Sequence, residues 1–286
     1  MYEEKQEPKL GGDSGIKTAY FTDIQSFSSF SEVLRASQLV ELLNEYLTVM
    51  TDVLLGEGGT LDKYEGDAIV AFFGAPLPME DHAYRACLVA LRMQEELGGL
   101  RAKWASEGDK WPELVSEMRM RIGVNSGDIV TGNMGSKMRM NYTMMGDVVN
   151  TAARLEASAK QYGIYIQVTK QTLELAGVEA FEVREIDRVR VVGKKEAVET
   201  YELLGLKGGL TDQEAEMRRL YSEGLELYRS QAWDLAQEKF KASEVLEAVF
   251  PRRPTTPSRV YWERCEHFKV NPPGKDWDGV WVLTKK

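Results

Sequence analysis

The sequence predicts an α+β fold, a mainly antiparallel sheet with helices covering one side of it, followed by a helical extension at the C-terminal end. Three observations predict it. The elements succeed one another as strand, helix, hairpin, helix, strand, strand, helix, a tight turn at Glu65-Gly66 joins two β-prone runs, and the composition changes character after Gly208-Gly209.

Residues 1–16 are charged, glycine-containing and aperiodic, and are expected to be a flexible lead-in. Thr18 to Thr22 is a short strand ending at Asp23. Leu39, Leu42, Leu43, Tyr46, Leu47, Met50 and Leu54 recur at helical spacing and predict an amphipathic helix that closes at Gly56 to Gly59. Thr60 to Tyr64 and Asp67 to Phe73 read as a hairpin, because Gly66 tolerates the positive φ a tight turn demands. That turn sets Lys63 and Asp67 on either side of its tip. From Glu80 to about Trp104 the spacing of Ala83, Ala86, Cys87, Ala90, Leu91 and Leu97 predicts a second long helix. Met118 to Val124 and Tyr142 to Met145 are strands, and Asp147 is placed to cap a helix reaching about Gln161. Further strands are expected at Tyr165 to Val168, Arg188 to Val192 and Thr200 to Leu204, which makes residues 17–205 one domain of ferredoxin-like or palm-type plan.

Residues 210–286 form the extension. Thr211 to Val249 is almost continuous helix-forming sequence broken around Ser230 to Ala232, a helical hairpin in which Gly224, Ala236 and Phe240 match the offsets of one tetratricopeptide-type unit. The rest is a tail with loop prolines and buried-looking aromatics, Tyr261, Trp262, Trp277 and Trp281.

Composition narrows the function. A hydrophobic fraction of 43% supports a folded core, and 36 Lys and Arg against 45 Asp and Glu leave a net charge of −9, which argues against a nucleic-acid partner. Any polyphosphate must be held by local groups. Cys87 and Cys265 lack metal or redox spacing and read as unpaired thiols of a reducing compartment. The polar N-terminus and the lack of an apolar run of about 18 residues give no signal peptide or membrane span, so a cytoplasmic location is expected.

The candidate chemistry lies at strand ends and on one helix. Asp23 and Asp67, on separate strands, suit a pair of hard divalent cations, Mg²⁺ or Mn²⁺, which take one or two protein carboxylates plus phosphate oxygens. Taken alone, Asp23 would read as a helix cap and Lys63 as an exposed strand lysine. Next to a nucleotide, the Lys63 ammonium could donate to a ring nitrogen of adenine. Asn150 and Arg154 are four apart and share a helix face, where Arg154 offers planar donors to charge growing on a phosphoryl group; Glu156 and Lys160 mark the solvated face of the same helix. Thr143 has a hydroxyl that donates or accepts, and its bland alternative is a β-branched strand residue.

The stretches FTDIQSFSSFSE, GGTLDKYEGDAIVAFFGAP, RIGVNSGDIVTGNMGS and NYTMMGDVVNTAARLE, in this order, resemble the catalytic domain of the class III nucleotide cyclases over about Lys17 to Gly205. The resemblance implies a homodimer with head-to-tail composite sites that converts ATP to 3′,5′-cyclic AMP and pyrophosphate. Asp23 and Asp67, with the Ile24 carbonyl, would bind two metal ions in one subunit. The other would supply Lys63 and Thr143 to adenine, Asn150 to ribose and Arg154 to the transition state. Guanylate cyclases place Glu and Cys where this chain has Lys63 and Thr143, so adenine is the implied base. Lys194, in VVGK, matches the family's late phosphate-binding lysine, although Val192 departs from the pattern. Threonine at 143 resembles the branch that includes bicarbonate-responsive cyclases. The extension resembles that of bacterial cyclases with a sensor domain and membrane helices upstream, which would make this chain the output module of a receptor. A catalytically silent dimerisation module and a guanylate cyclase are the alternatives.

Overall fold

The computed structural model describes residues 10–136, 138–190, 197–247, 254–274 and 276–280. The elements run β1 (Gly11–Ile24), α1 (Phe27–Val33), α2 (Ala36–Gly56), β2 (Thr60–Glu65), β3 (Ala68–Phe73), α3 (His82–Ser106), α4 (Glu113–Ser116), β4 (Met120–Ser136), β5 (Arg139–Met145), α5 (Asp147–Tyr162), β6 (Ile166–Thr169), α6 (Lys170–Ala176), β7 (Phe181–Arg190) and β8 (Ala197–Leu206). They build the α+β domain the sequence predicts. The strands order as β2-β3-β1-β4-β6-β8-β7, with β5 paired to β4 off that path. All pairings are antiparallel except β4 with β6.

One expectation fails: helices cover both sides of the sheet. Tyr20, Ile69, Ala71, Phe73, Ile122 and Val124 point to one core beneath α2 and α3, where Leu42, Tyr46, Met50 and Leu54 form the buried stripe of α2. The alternate residues Ala19, Val70 and Phe72 point the other way and meet Ala152 of α5 and Met144 of β5. The reason is legible in AIVAFF, an unbroken apolar run with no polar face to leave in water. A second difference is the start of β1. Gly11 to Ile16, assigned to the lead-in, pair with Asn133 to Asp128 of β4. Cys87 and Cys265 are free and buried, and burial pushes both thiols up to about 12.

The extension folds as α7 (Asp212–Arg229), α8 (Trp233–Leu246) and α9 (Pro257–Val270). Thr211 and Glu214 close a capping box on α7, and the chain turns into α8 at Gln231, whose φ is 62°. Gly224 lets the α7–α8 pair close, since a Cβ there would lie 2.9 Å from the Phe240 ring. The tail holds a helix the sequence did not announce: Thr256 caps α9, with Pro257 in its first turn. Tyr221, Tyr228, Phe240, Tyr261 and Phe268 make the extension's own core, with Trp262 and Trp277 packed against it; Trp281 lies outside the described residues.

Buried polar contacts fasten this unit to the sheet. Arg184 of β7 bonds Glu202 of β8 at 2.5 Å and Glu247, just beyond α8, at 2.5 Å. Asp187 of β7 takes Arg264 of α9 at 2.8 Å and the Tyr162 hydroxyl at 2.6 Å. Tyr162 is the last residue of α5, so the extension touches the far end of the helix that carries Asn150 and Arg154.

Candidate active site

Three of the predicted residues meet where β1 leaves the sheet. Asp23 and Ile24 are its last residues, and Gly66, at φ 68°, turns the β2–β3 hairpin so that Asp67 follows directly. Asp67 is 8% exposed, and its Oδ2 accepts the Ile24 N–H at 2.9 Å. Burial raises the Asp67 carboxyl above its ordinary range; the Ile24 N–H works against that and the Asp23 charge adds to it. Two carboxylates confined together with an adjacent carbonyl are a hard oxygen donor set whose repulsion a divalent cation would relieve, so these residues fit Mg²⁺ or Mn²⁺. No group of three or more His, Cys, Asp or Glu able to hold a metal occurs among the described residues, so a cation held by Asp23 and Asp67 would need water or phosphate oxygens as further ligands.

Sequence reasoning missed Arg121. It faces Asp23 across the β1–β4 register, donates from Nη2 to Asp23 Oδ2 at 2.5 Å, and from Nε to Glu156 Oε1 of α5 at 2.8 Å. Glu156, taken as a solvent-facing residue, therefore points inward. The signal was the strand pairing itself, which places an arginine opposite the aspartate but is invisible along one chain.

Lys63 and Thr143 also come together. The Thr143 hydroxyl of β5 donates to Asp62 Oδ2 of β2 at 2.5 Å, and Lys63 Nζ stands 3.7 Å from Asp62 Oδ1. Asp62 is a residue the sequence did not single out, because simple alternation points it away from its neighbour Lys63.

Asn150 and Arg154 are exposed on α5, one turn apart. The helix starts at Gly146, whose φ of 146° excludes most side chains, so Gly146 and not Asp147 holds the cap position; Asp147 is the first helical residue. Its placement against the sheet is tight. A Cβ on Gly123 of β4 would lie 2.3 Å from the Ala152 carbonyl oxygen and 2.4 Å from the Glu156 nitrogen. At about 100° per residue, Arg154 lies roughly 200° around the helix from Glu156, the residue tied through Arg121 to Asp23. Arg154 thus looks away from the carboxylates of its own chain, and Asn150, roughly 120° from Glu156 on the same wheel, is exposed beside it. Lys194 lies outside the described residues.

The model of the adenylate and guanylate cyclase catalytic domain matches residues 15–205, and the chain belongs to that family. It is 31% identical over 198 residues to adenylate cyclase 1 of Rhizobium meliloti, covering 69% of this chain and 29% of that protein. With the terminal-differentiation-specific adenylate cyclase of Dictyostelium discoideum it shares 31% over 266 residues, 89% of this chain and 12% of that one. Among solved structures, the adenylyl cyclase CyaB from P. aeruginosa superposes with a TM-score of 0.62 at 31% identity, covering 71% of this chain and 100% of that one. The guanylyl cyclase Cya2 does so at 0.59 and 31%, covering 71% and 98%. The chain spans less than a third of the length of either curated relative. No described helix is long and apolar enough to cross a membrane.

Proposed function

We propose that this chain is an adenylate cyclase, closing ATP to 3′,5′-cyclic AMP with loss of pyrophosphate at composite sites shared by two copies. The observation that carries the composite site is the orientation of α5: Glu156 reaches toward Asp23 through Arg121 while Asn150 and Arg154 face outward. A second copy, head to tail, is what brings that outward face to a pair of carboxylates.

Asp23, Asp67 and the Ile24 carbonyl would hold two divalent cations. When bound, such ions lower the pKa of the attacking hydroxyl and neutralise phosphate charge. The chain's own residues do the rest. The carboxylates would hold those ions, Asn150 orients the ribose, and the planar Arg154 guanidinium meets charge on the α-phosphoryl oxygens as pyrophosphate departs. Lys194 is assigned to the triphosphate. Lys63 donates to a ring nitrogen of the base, and Thr143 faces its exocyclic group.

Similarity to both an adenylyl and a guanylyl cyclase structure leaves base choice to these last two side chains, and Lys63 with Thr143 favours adenine. The same proposal makes the chain the output module of a longer receptor, and its match to short segments of long relatives supports the greater length alone. Purified protein given ATP or GTP with Mg²⁺ or Mn²⁺ should release cyclic AMP and pyrophosphate from ATP. Equal or faster turnover of GTP would overturn the assignment of the base, and no product from either nucleotide would favour a silent dimerisation module.

A further inference from the structure

We propose that Asp62 selects the base by fixing the direction of the Thr143 hydroxyl, a positioning role that rests on the adenylate cyclase assignment. A threonine hydroxyl is ambiguous: it has one proton to donate and two lone pairs to accept with. Left free, it would serve the 6-amino group of adenine as an acceptor or the 6-oxo group of guanine as a donor. Here its proton is committed. Thr143 Oγ1 donates to Asp62 Oδ2 at 2.5 Å, and an ionised carboxylate only accepts, so the bond has a single polarity. What Thr143 keeps for a base is lone pairs, which match an amino group and repel a carbonyl oxygen.

The backbone is arranged for this contact. Leu61 pairs with Ala71 and Lys63 with Val70, so Asp62 is the extra residue of a β-bulge in β2. Bulges re-aim side chains, and this one turns Asp62 inward toward β5 while Lys63 stays exposed beside it. The Asp62 side chain is only 2% exposed, its Oδ1 has no hydrogen-bond partner among the described residues, and Lys63 Nζ stands 3.7 Å from that oxygen. One buried carboxylate therefore contacts both side chains assigned to adenine. A buried acid held at an irregular strand position, with one oxygen unsatisfied, does not improve the core; it improves the definition of the two donors and acceptors beside it.

The test compares kcat/KM for ATP, GTP and inosine triphosphate, which carries the 6-oxo group without the 2-amino group of guanine. The wild-type protein should reject inosine triphosphate as it rejects GTP. Asp62→Ala frees the hydroxyl proton and should lower the ATP-to-inosine-triphosphate ratio by about tenfold or more. Asp62→Asn, whose amide can still accept, should lower it less. Wild-type turnover of inosine triphosphate equal to that of ATP would overturn the proposal without any variant. So would Asp62→Ala and Asp62→Asn proteins that lose activity on every nucleotide in equal proportion, the outcome of a purely structural role. Failure of the wild-type protein to cyclise ATP at all would instead strike the parent assignment.

Discussion

The two halves of the site differ in how much of their own protein they touch. The carboxylate half is built in: Asp67 is buried, bonded to the Ile24 N–H and set against Asp23, which in turn is paired with Arg121. The helix-face half, Asn150 and Arg154, is exposed, and neither side chain has an ion pair or hydrogen bond with another described residue. On the proposed assignment, the groups for ions are held in advance by strand ends, whereas the groups for a substrate presented by a second copy stand in solvent. The sharpest break of this contrast is a complementation test. Asp67→Ala and Arg154→Ala proteins should each lose activity by about a hundredfold or more, and equal mixing with subunit exchange should restore roughly a quarter of the wild-type value, because half the dimers are mixed and each has one intact site of two. Verified mixed dimers without activity would put both halves in one chain.

The helix-face half depends on where α5 lies. Gly123 sets that distance, and a Cβ there would strike backbone atoms of α5 that no rotamer change can move away. Gly123→Ala should therefore shift Asn150 and Arg154 together and cut kcat by about a hundredfold. Cation binding, which uses strand ends, should stay near normal in a thermal-shift titration with Mn²⁺. Loss of both together would mean that the halves are not separable.

A milder lever acts on the other end of the same helix. Arg264 of α9 pairs with Asp187, which accepts the Tyr162 hydroxyl at the last residue of α5. Arg264→Met strands the Asp187 charge in a buried place and should cost about 3–5 kcal/mol in a urea titration. Activity at temperatures where the protein remains folded should fall severalfold through kcat, with the Mn²⁺ response kept. Unchanged kcat would show that α5 is positioned by the sheet alone.

How much of this could be read from the chain follows the same division. Local signals were read well: the α2 stripe, the Glu65-Gly66 turn and the break at Ser230 to Ala232 are each set by neighbours in sequence. What escaped depends on pairing between distant segments. Arg121 opposes Asp23 only because β1 and β4 align, and Asp62 turns inward only because β2 carries a bulge against β3. The second helical layer is implied by AIVAFF, which is apolar on both faces of its strand, whereas helices were expected on one side of the sheet only. α9 was hidden by the prolines around it, one of which, Pro257, starts the helix instead of breaking it.

The smallest effect is one of pH, and it tests whether the carboxylate half is a cation site. Asp67 is raised above the ordinary 3.8, by burial first and by Asp23 as well. A raised folded-state value means that the carboxyl favours folding while protonated and that this contribution is lost as pH rises through the folded value. The cation-free protein is then less stable with Asp67 ionised, and Asp67→Asn, which has no charge to bury, should lose less stability over that rise. A divalent cation reverses the sign, because it needs the ionised form that folding alone disfavours. At neutral pH and a hundredfold excess over Kd, Mn²⁺ should raise the wild-type Tm by about 5–10 °C. The shift should shrink as pH falls through the raised Asp67 value, sooner than an ordinary carboxylate would allow, and be absent in Asp67→Asn. A wild-type shift that held constant down to about pH 4, or one that survived the substitution, would place the cation on other ligands.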